Sequence, residues 1–231
     1  MISPSRPVER LQAVQNRVER AAEASGRKAH EIELLAVTKM RKVHEVQALY
    51  DLGLRRFGEN RVAEALGKIA LFPEEVEWHM IGHLQSNKTD LCTRFHTLQS
   101  LDRAKTARAL ESSLIGGNKT MRVLIEVNTG GEGQKDGTST EAQLNEVIEA
   151  VLSCPHLSWQ GLMTMAPFTR DEVVVRRCFS RLYHLRESLS ARFSGQALPV
   201  LSMGMSNDFE WAIAEGSTML RIGTLLFEST P

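Results

Sequence analysis

Short apolar runs recur along this chain, each followed by a segment with helical periodicity, and that alternation limits the fold more than any other feature. The runs are Ile32–Val37, Arg56–Phe57, Trp78–Ile81, Thr97–Leu101, Met121–Val127, Leu157–Met163, Val200–Met203 and Met219–Ile222. The clearest helical segments between them are Arg103–Leu114, Glu141–Leu152, Glu172–Phe193 and Asn207–Glu215, with another carrying Val43, Val46, Leu49 and Leu52. Strands alternating with helices imply βαβ units and a parallel sheet. Eight such units joined by right-handed crossovers predict a single closed α/β barrel of the TIM (β/α)8 type. An extra N-terminal helix is expected over Pro7–Ser25, with Val8, Leu11, Val14 and Val18 on one stripe and Gly26 as its stop. The chain runs only a few residues past the eighth run, so the opening helix is expected to fill the place of a long eighth helix or to lie across the barrel bottom. An open doubly wound sheet is the alternative. With 231 residues and no linker, repeat or low-complexity stretch, the whole of 1–231 reads as one domain.

Charge and cysteine content narrow the function classes. Twenty-eight basic residues balance twenty-eight acidic ones, which gives no reason to expect a nucleic-acid partner. Cys92, Cys154 and Cys178 show neither a CxxC nor zinc spacing, so a reduced, cytoplasmic protein is expected. No apolar core of a signal peptide follows the N-terminus, and no stretch is apolar for long enough to cross a bilayer.

The candidate chemistry sits where strands end. Lys39 follows the first apolar run directly, and in a parallel barrel the C-terminal strand ends carry the site. A lysine there is ordinarily a solvated charge; its functional alternative is an amine that forms a Schiff base. Two glycine–hydroxyl loops follow the last two strands: Ser202, Gly204, Met205 and Ser206 after the seventh, Gly223 and Thr224 after the eighth. Either alone is an ordinary turn. Together they stand where this fold commonly binds phosphate, with glycine admitting close backbone approach and hydroxyls adding donors. Asn207 with Glu210 reads as a capping-box helix start. Phosphate plus a Schiff-base lysine is what pyridoxal 5′-phosphate (PLP) requires. Arg221 falls in the interior phase of an otherwise apolar strand, either ion-paired or facing the cofactor's pyridine nitrogen.

Other features read more plainly. His79 and His83 stand four apart, a metal-binding spacing on helices, but here they straddle a strand end and Gly82, so no metal site is assigned. Val173, Val174, Phe179, Leu182, Leu185 and Leu189 read as a helix core stripe, with Arg176, Arg177 and Arg181 on its solvated face. Trp78, Trp159 and Trp211 read as packing residues.

Several motifs, taken in order, resemble the pyridoxal phosphate homeostasis protein (YggS/PROSC) family, whose members look like the barrel domain of alanine racemase. They are Leu35-Ala36-Val37-Thr38-Lys39, Phe57-Gly58-Glu59-Asn60, the stretch from His79 to Lys88, and Val127-Asn128 through Glu132, Lys135 and Gly137. They continue with Gly161 to Met165, Leu201 to Ser206 with Asp208, and Gly216 through Arg221, Gly223, Thr224 and Phe227. The resemblance implies an alanine racemase N-terminal-domain-like barrel holding PLP on Lys39. It implies the phosphate on Ser206, Gly223 and Thr224 with Ser202 or Met205 nearby, Arg221 at the pyridine nitrogen, and Asn60, His79 and Met163 lining the site. Its functional implication is intracellular PLP (vitamin B6) homeostasis without established catalysis, with PLP-dependent apo-enzymes as possible recipients and a monomer as the default. The alternative is a PLP-dependent amino-acid racemase. That chemistry needs a second base opposite the lysine, and Tyr50 and Tyr183 both fall in helical segments. Met40, Arg61 and Glu228 depart from the family pattern, the first two at the edge of the expected pocket. No site is assigned to the glycine-rich stretch 130–135.

Overall fold

A computed structural model describes residues 5–117, 119–131 and 136–228. Glu132 and Lys135, two residues of the family motifs, lie outside the described residues. The chain begins with α1 (Ser5–Ala24) and then alternates: β1 (Glu33–Val37), α2 (Val43–Asp51), β2 (Arg56–Glu59), α3 (Val62–Ile69), β3 (Glu77–Met80), α4 (Thr89–Cys92), β4 (Thr97–Leu101) and α5 (Ala104–Ile115). It continues with β5 (Met121–Glu126), α6 (Glu141–Leu152), β6 (Leu157–Met163), α7 (Glu172–Arg192), β7 (Val200–Ser202), α8 (Phe209–Ala214), β8 (Met219–Ile222) and α9 (Thr224–Phe227).

All eight strands pair in chain order into a closed parallel barrel. β8 returns to β1 in register, with Glu33 opposite Met219 and Ala36 opposite Ile222, so the open-sheet alternative is excluded. The β5–β6 pairing carries an irregularity at Gly161. This glycine has φ +150°, and a Cβ there would stand 1.9 Å from the Val200 carbonyl oxygen.

The alternation of each strand sorts its side chains into two compartments. One face, with Ala36, Phe57, Trp78, Leu98, Val123, Leu162, Leu201 and Leu220, packs into a continuous apolar layer against the helices. Leu35, Leu124, Met163 and Met219 are equally buried but stand apart from that layer, in the barrel interior. Trp78 and Trp159 are buried packing residues, as the sequence suggests.

α1 fills the place that a long helix after β8 would take: it packs against α8 and the short α9 rather than across the barrel bottom. Leu11, Val14, Val18 and Ala22 form its buried stripe, Arg17 pairs with Glu210, and Arg10 donates to the Phe227 carbonyl at 2.7 Å. Val8, expected on that stripe, is exposed.

Two other expectations change. Val173 and Val174 are exposed at the start of α7, and the buried residues there are Val175, Cys178, Phe179, Leu182 and Leu189. Helical phase selects Val175, because it lies three and four residues before Cys178 and Phe179. The helix start expected at Asn207 forms one residue later. Asp208 occupies the N-cap, and its Oδ1 accepts from the Met205 amide at 2.6 Å, which closes the loop instead of a capping box. Cys92, Cys154 and Cys178 are buried, and none of them forms a disulfide. Among the described residues no helix is long and apolar enough to cross a membrane.

Candidate functional site

A cavity of about 720 Å³ opens at the C-terminal ends of the strands. Lys39 enters it from the β1 end and is exposed there. Asn60 follows β2; Ile81, Gly82 and His83 follow β3; Glu126 ends β5. Met205 and Ser206 come from the loop after β7, and Arg221, Gly223 and Thr224 from the end of β8. Seven of the ten residues singled out in the sequence therefore line one space.

The β7 and β8 loops form a donor-rich corner. Among the described residues, no protein acceptor takes the backbone N–H of Ser206, Gly223 or Thr224. Unsatisfied amides beside two hydroxyls suit an anion such as a phosphate. Gly204, at φ +95°, lets the β7 loop turn tightly beneath this corner; a Cβ there would meet Ala212 at 2.6 Å.

Ser202, His79 and Met163 are not among the cavity-lining residues: all three are buried in the barrel interior. Two of them support Arg221 from below. Arg221 NH1 donates to Ser202 Oγ at 2.7 Å and NH2 donates to the Thr164 carbonyl at 2.7 Å. Arginine only donates, so Ser202 accepts from it and donates its own O–H to Gln99 Oε1 at 2.6 Å. The Gln99 amide then donates to His79 Nδ1 at 2.9 Å, which leaves the imidazole proton on Nε2. Burial pushes the His79 pKa down, so the ring is neutral. The chain His79–Gln99–Ser202–Arg221 spans the barrel and orients the guanidinium at the cavity floor. Burial lowers the Arg221 pKa to about 10, against the opposing pull of Glu126 and Asp208, so it is cationic at neutral pH. Gln99 is the member that sequence reasoning missed; its only signal was a polar residue inside an otherwise buried strand.

Glu126 was also missed, since it sat at the end of an apolar run. It is 3% exposed yet faces the cavity. Burial first, then the Asp102 and Asp136 charges, push its pKa up to about 7, while Arg221 opposes them. His79 and His83 do not converge. His83 Nδ1 instead stands 4.0 Å from carboxylate oxygens of both Asp102 and Asp136.

Three comparisons place this geometry among known proteins. The family model described as "Alanine racemase, N-terminal domain" matches residues 10–231. A curated protein of Aquifex aeolicus named "Pyridoxal phosphate homeostasis protein" is 42% identical over 221 residues, covering 95% of this chain and 96% of that one. Its namesake from Escherichia coli K12 is 37% identical over 227 residues, covering 94% of each.

The chain belongs to the pyridoxal phosphate homeostasis protein family.

PipY of Synechococcus elongatus, a structure described as having PLP bound, superposes with a TM-score of 0.80 at 29% identity, covering 91% of this chain and 99% of that one. Alanine racemase of Clostridium difficile superposes with a TM-score of 0.76 at 14% identity, over 98% of this chain but 57% of the racemase, and shares the fold alone.

Against the family pattern, Met40 and Glu228 line the cavity in this family member, whereas Arg61 is not in its wall and sits at the N-cap position of α3 without a side-chain cap hydrogen bond. Met40 has φ +60° and an exposed side chain. Glu228 accepts from Arg41 NH2 at 2.5 Å, which holds the end of α9 against the loop that carries Lys39.

Proposed function

We propose that this chain binds PLP through a Schiff base on Lys39 and serves intracellular PLP homeostasis. One observation carries the reading: in a member of this family, Lys39 and the free amide donors of Ser206, Gly223 and Thr224 face one cavity. The residues fit the group. Ser206, Gly223 and Thr224 would hold the phosphate, with Met205 beside it; Arg221 would face the pyridine nitrogen, and Asn60 would line the ring. Ser202 and His79 would act from beneath, through Arg221, and Met163 would fill the interior below. When bound, the cofactor supplies an electrophilic aldehyde for an amine and, in enzymes, an electron sink. A cationic arginine at the ring nitrogen leaves that nitrogen unprotonated and weakens the sink. That favours holding the cofactor over carbanion chemistry.

A racemase would need a second base facing Lys39. Tyr50, on α2, donates to Glu75, and Tyr183 lies on α7; neither lines the cavity. The three buried cysteines, none in a disulfide, suit a reducing cytoplasm, and delivery of PLP to apo-enzymes by a monomeric carrier is the role we assign.

The test is the absorbance of purified protein with added PLP, before and after borohydride, with peptide mapping of the reduced adduct. A yellow band that collapses on reduction, with the label on Lys39, is the expected result, and Lys39→Ala should lose both. No band in the wild type would overturn the reading. Racemisation of any amino acid at enzyme-like rates would overturn the non-catalytic role.

A further inference from the structure

Behind Lys39, on the helix side of β1 and β2, lies a buried charged cluster that takes no part in the cavity wall. Glu59 is fully buried, and its Oε1 accepts from Lys68 Nζ at 2.7 Å and from Thr38 Oγ1 at 2.6 Å. Lys68, also buried, donates in addition to the Thr38 carbonyl at 2.8 Å and to Glu64 Oε1 at 3.1 Å. Glu64 Oε1 in turn accepts from the Met40 amide at 2.5 Å.

The Thr38 carbonyl and the Met40 amide belong to the two peptide groups that flank the Lys39 Cα. One side-chain network therefore grips the backbone on both sides of that single residue. The grip coincides with strain: Met40 is, among the described residues, the non-glycine residue with positive φ, a conformation costing a side chain about 1–2 kcal/mol. Such a conformation persists where its surroundings over-determine it. Stability alone does not account for the cluster, because a buried ion pair is often matched by apolar residues of the same volume. Apolar residues cannot hold a carbonyl and an amide in place.

We propose that Lys68, Glu59 and Glu64 are positioning residues that aim the Lys39 amine into the cavity. This rests on the reading of Lys39 as the PLP anchor.

Three variants of the full chain test it. Glu64→Ala removes the acceptor for the Met40 amide and leaves the Lys68–Glu59 pair. Glu64→Gln keeps an acceptor oxygen. The double variant Lys68→Met with Glu59→Gln neutralises the pair together, so no buried charge is stranded. Each is measured for affinity to PLP, for affinity to pyridoxine 5′-phosphate, whose alcohol cannot condense with an amine, and for the fraction of Lys39 labelled by borohydride.

Glu64→Ala and the double variant should weaken PLP binding about three- to tenfold, the range of one or two lost hydrogen bonds. Their Lys39 labelling should fall while pyridoxine 5′-phosphate binding stays at the wild-type level, and Glu64→Gln should restore labelling. Equal loss of both ligands would show a merely structural role and overturn the proposal, as would unchanged labelling in Glu64→Ala. A wild-type chain unlabelled at Lys39 would instead sink the PLP reading itself.

Discussion

Arg221 and Glu126 show how little of a residue's role its own letter carries. Both stand inside a barrel whose interior mixes apolar side chains with a buried polar chain, and the behaviour of each is set by what surrounds it. For Arg221 a relay of hydrogen bonds from the far wall sets its orientation, while burial lowers its pKa and Glu126 and Asp208 oppose that. For Glu126 it is burial and two aspartates, which favour the neutral acid. Between the ordinary carboxylate value of 4.5 and about 7, the folded chain keeps a proton on Glu126 that the unfolded chain has released. Stability therefore falls as pH rises through that window, and the slope vanishes below and above it, where both states agree. The effect is on the order of 3 kcal/mol. Urea unfolding at several pH values between 5 and 8 should show the decline, and Glu126→Gln should flatten it; an unchanged slope in the variant would refute this assignment. The groups facing Glu126 are Asp102, Asp136 and Arg221. Lys39, Ser206, Arg221, Gly223 and Thr224 were legible in the sequence because strand ends and glycine–hydroxyl loops are local signals. Gln99, Glu126, Lys68 and Glu64 were not: apart from the i,i+4 contact of Glu64 with Lys68, which reads as an ordinary helix ion pair, the partners that give them their roles lie on other elements.

At the scale of elements, the periodicity placed β4, β6 and β8 and helix α6 at the observed limits, and the other strands within a few residues. It failed where phase had to be chosen within a run of similar residues, as in Val173 to Val175. It was also silent on α4, which is too short to show a period. The close approach of β3 to β2 at the barrel rim was likewise hidden. A Cβ on Gly82 would stand 2.3 Å from the Asn60 carbonyl oxygen, which is backbone and cannot swing aside. Gly82→Ala should therefore push the Asn60 loop away from the cavity and cost about 1–3 kcal/mol. Calorimetry should register a Tm lower by roughly 2–12 °C, together with weaker PLP binding. A variant with wild-type Tm and affinity would show that the two loops are free to separate.

The whole molecule depends on α1, which the alternation of strands and helices does not itself require. Its buried Leu11, Val14 and Val18 cover α8 and α9, where a longer eighth helix would otherwise close the ring. Burying three such side chains is worth about 1.5–3 kcal/mol each, a sum comparable with the whole stability of a domain, about 5–15 kcal/mol. A chain shortened to residues 26–231 should lose its cooperative unfolding transition and bind hydrophobic dyes; a retained sharp transition would mean that α1 is an accessory. Here the sequence was readable in part: the helix and most of its stripe were evident, but its docking place was one of two options until the helix ring was seen.

The pairing of β1 with β8 sets a timetable for a chain emerging from a ribosome. Lys39 appears early, but the strand that must lie beside its own, with Arg221, Gly223 and Thr224, is made almost last. Until then β1 has one neighbour and the amine has no cavity to face. With PLP held on Lys39 as proposed, the phosphate corner at Ser206, Gly223 and Thr224 is complete only once β8 has been made, so tight loading should follow synthesis of that strand.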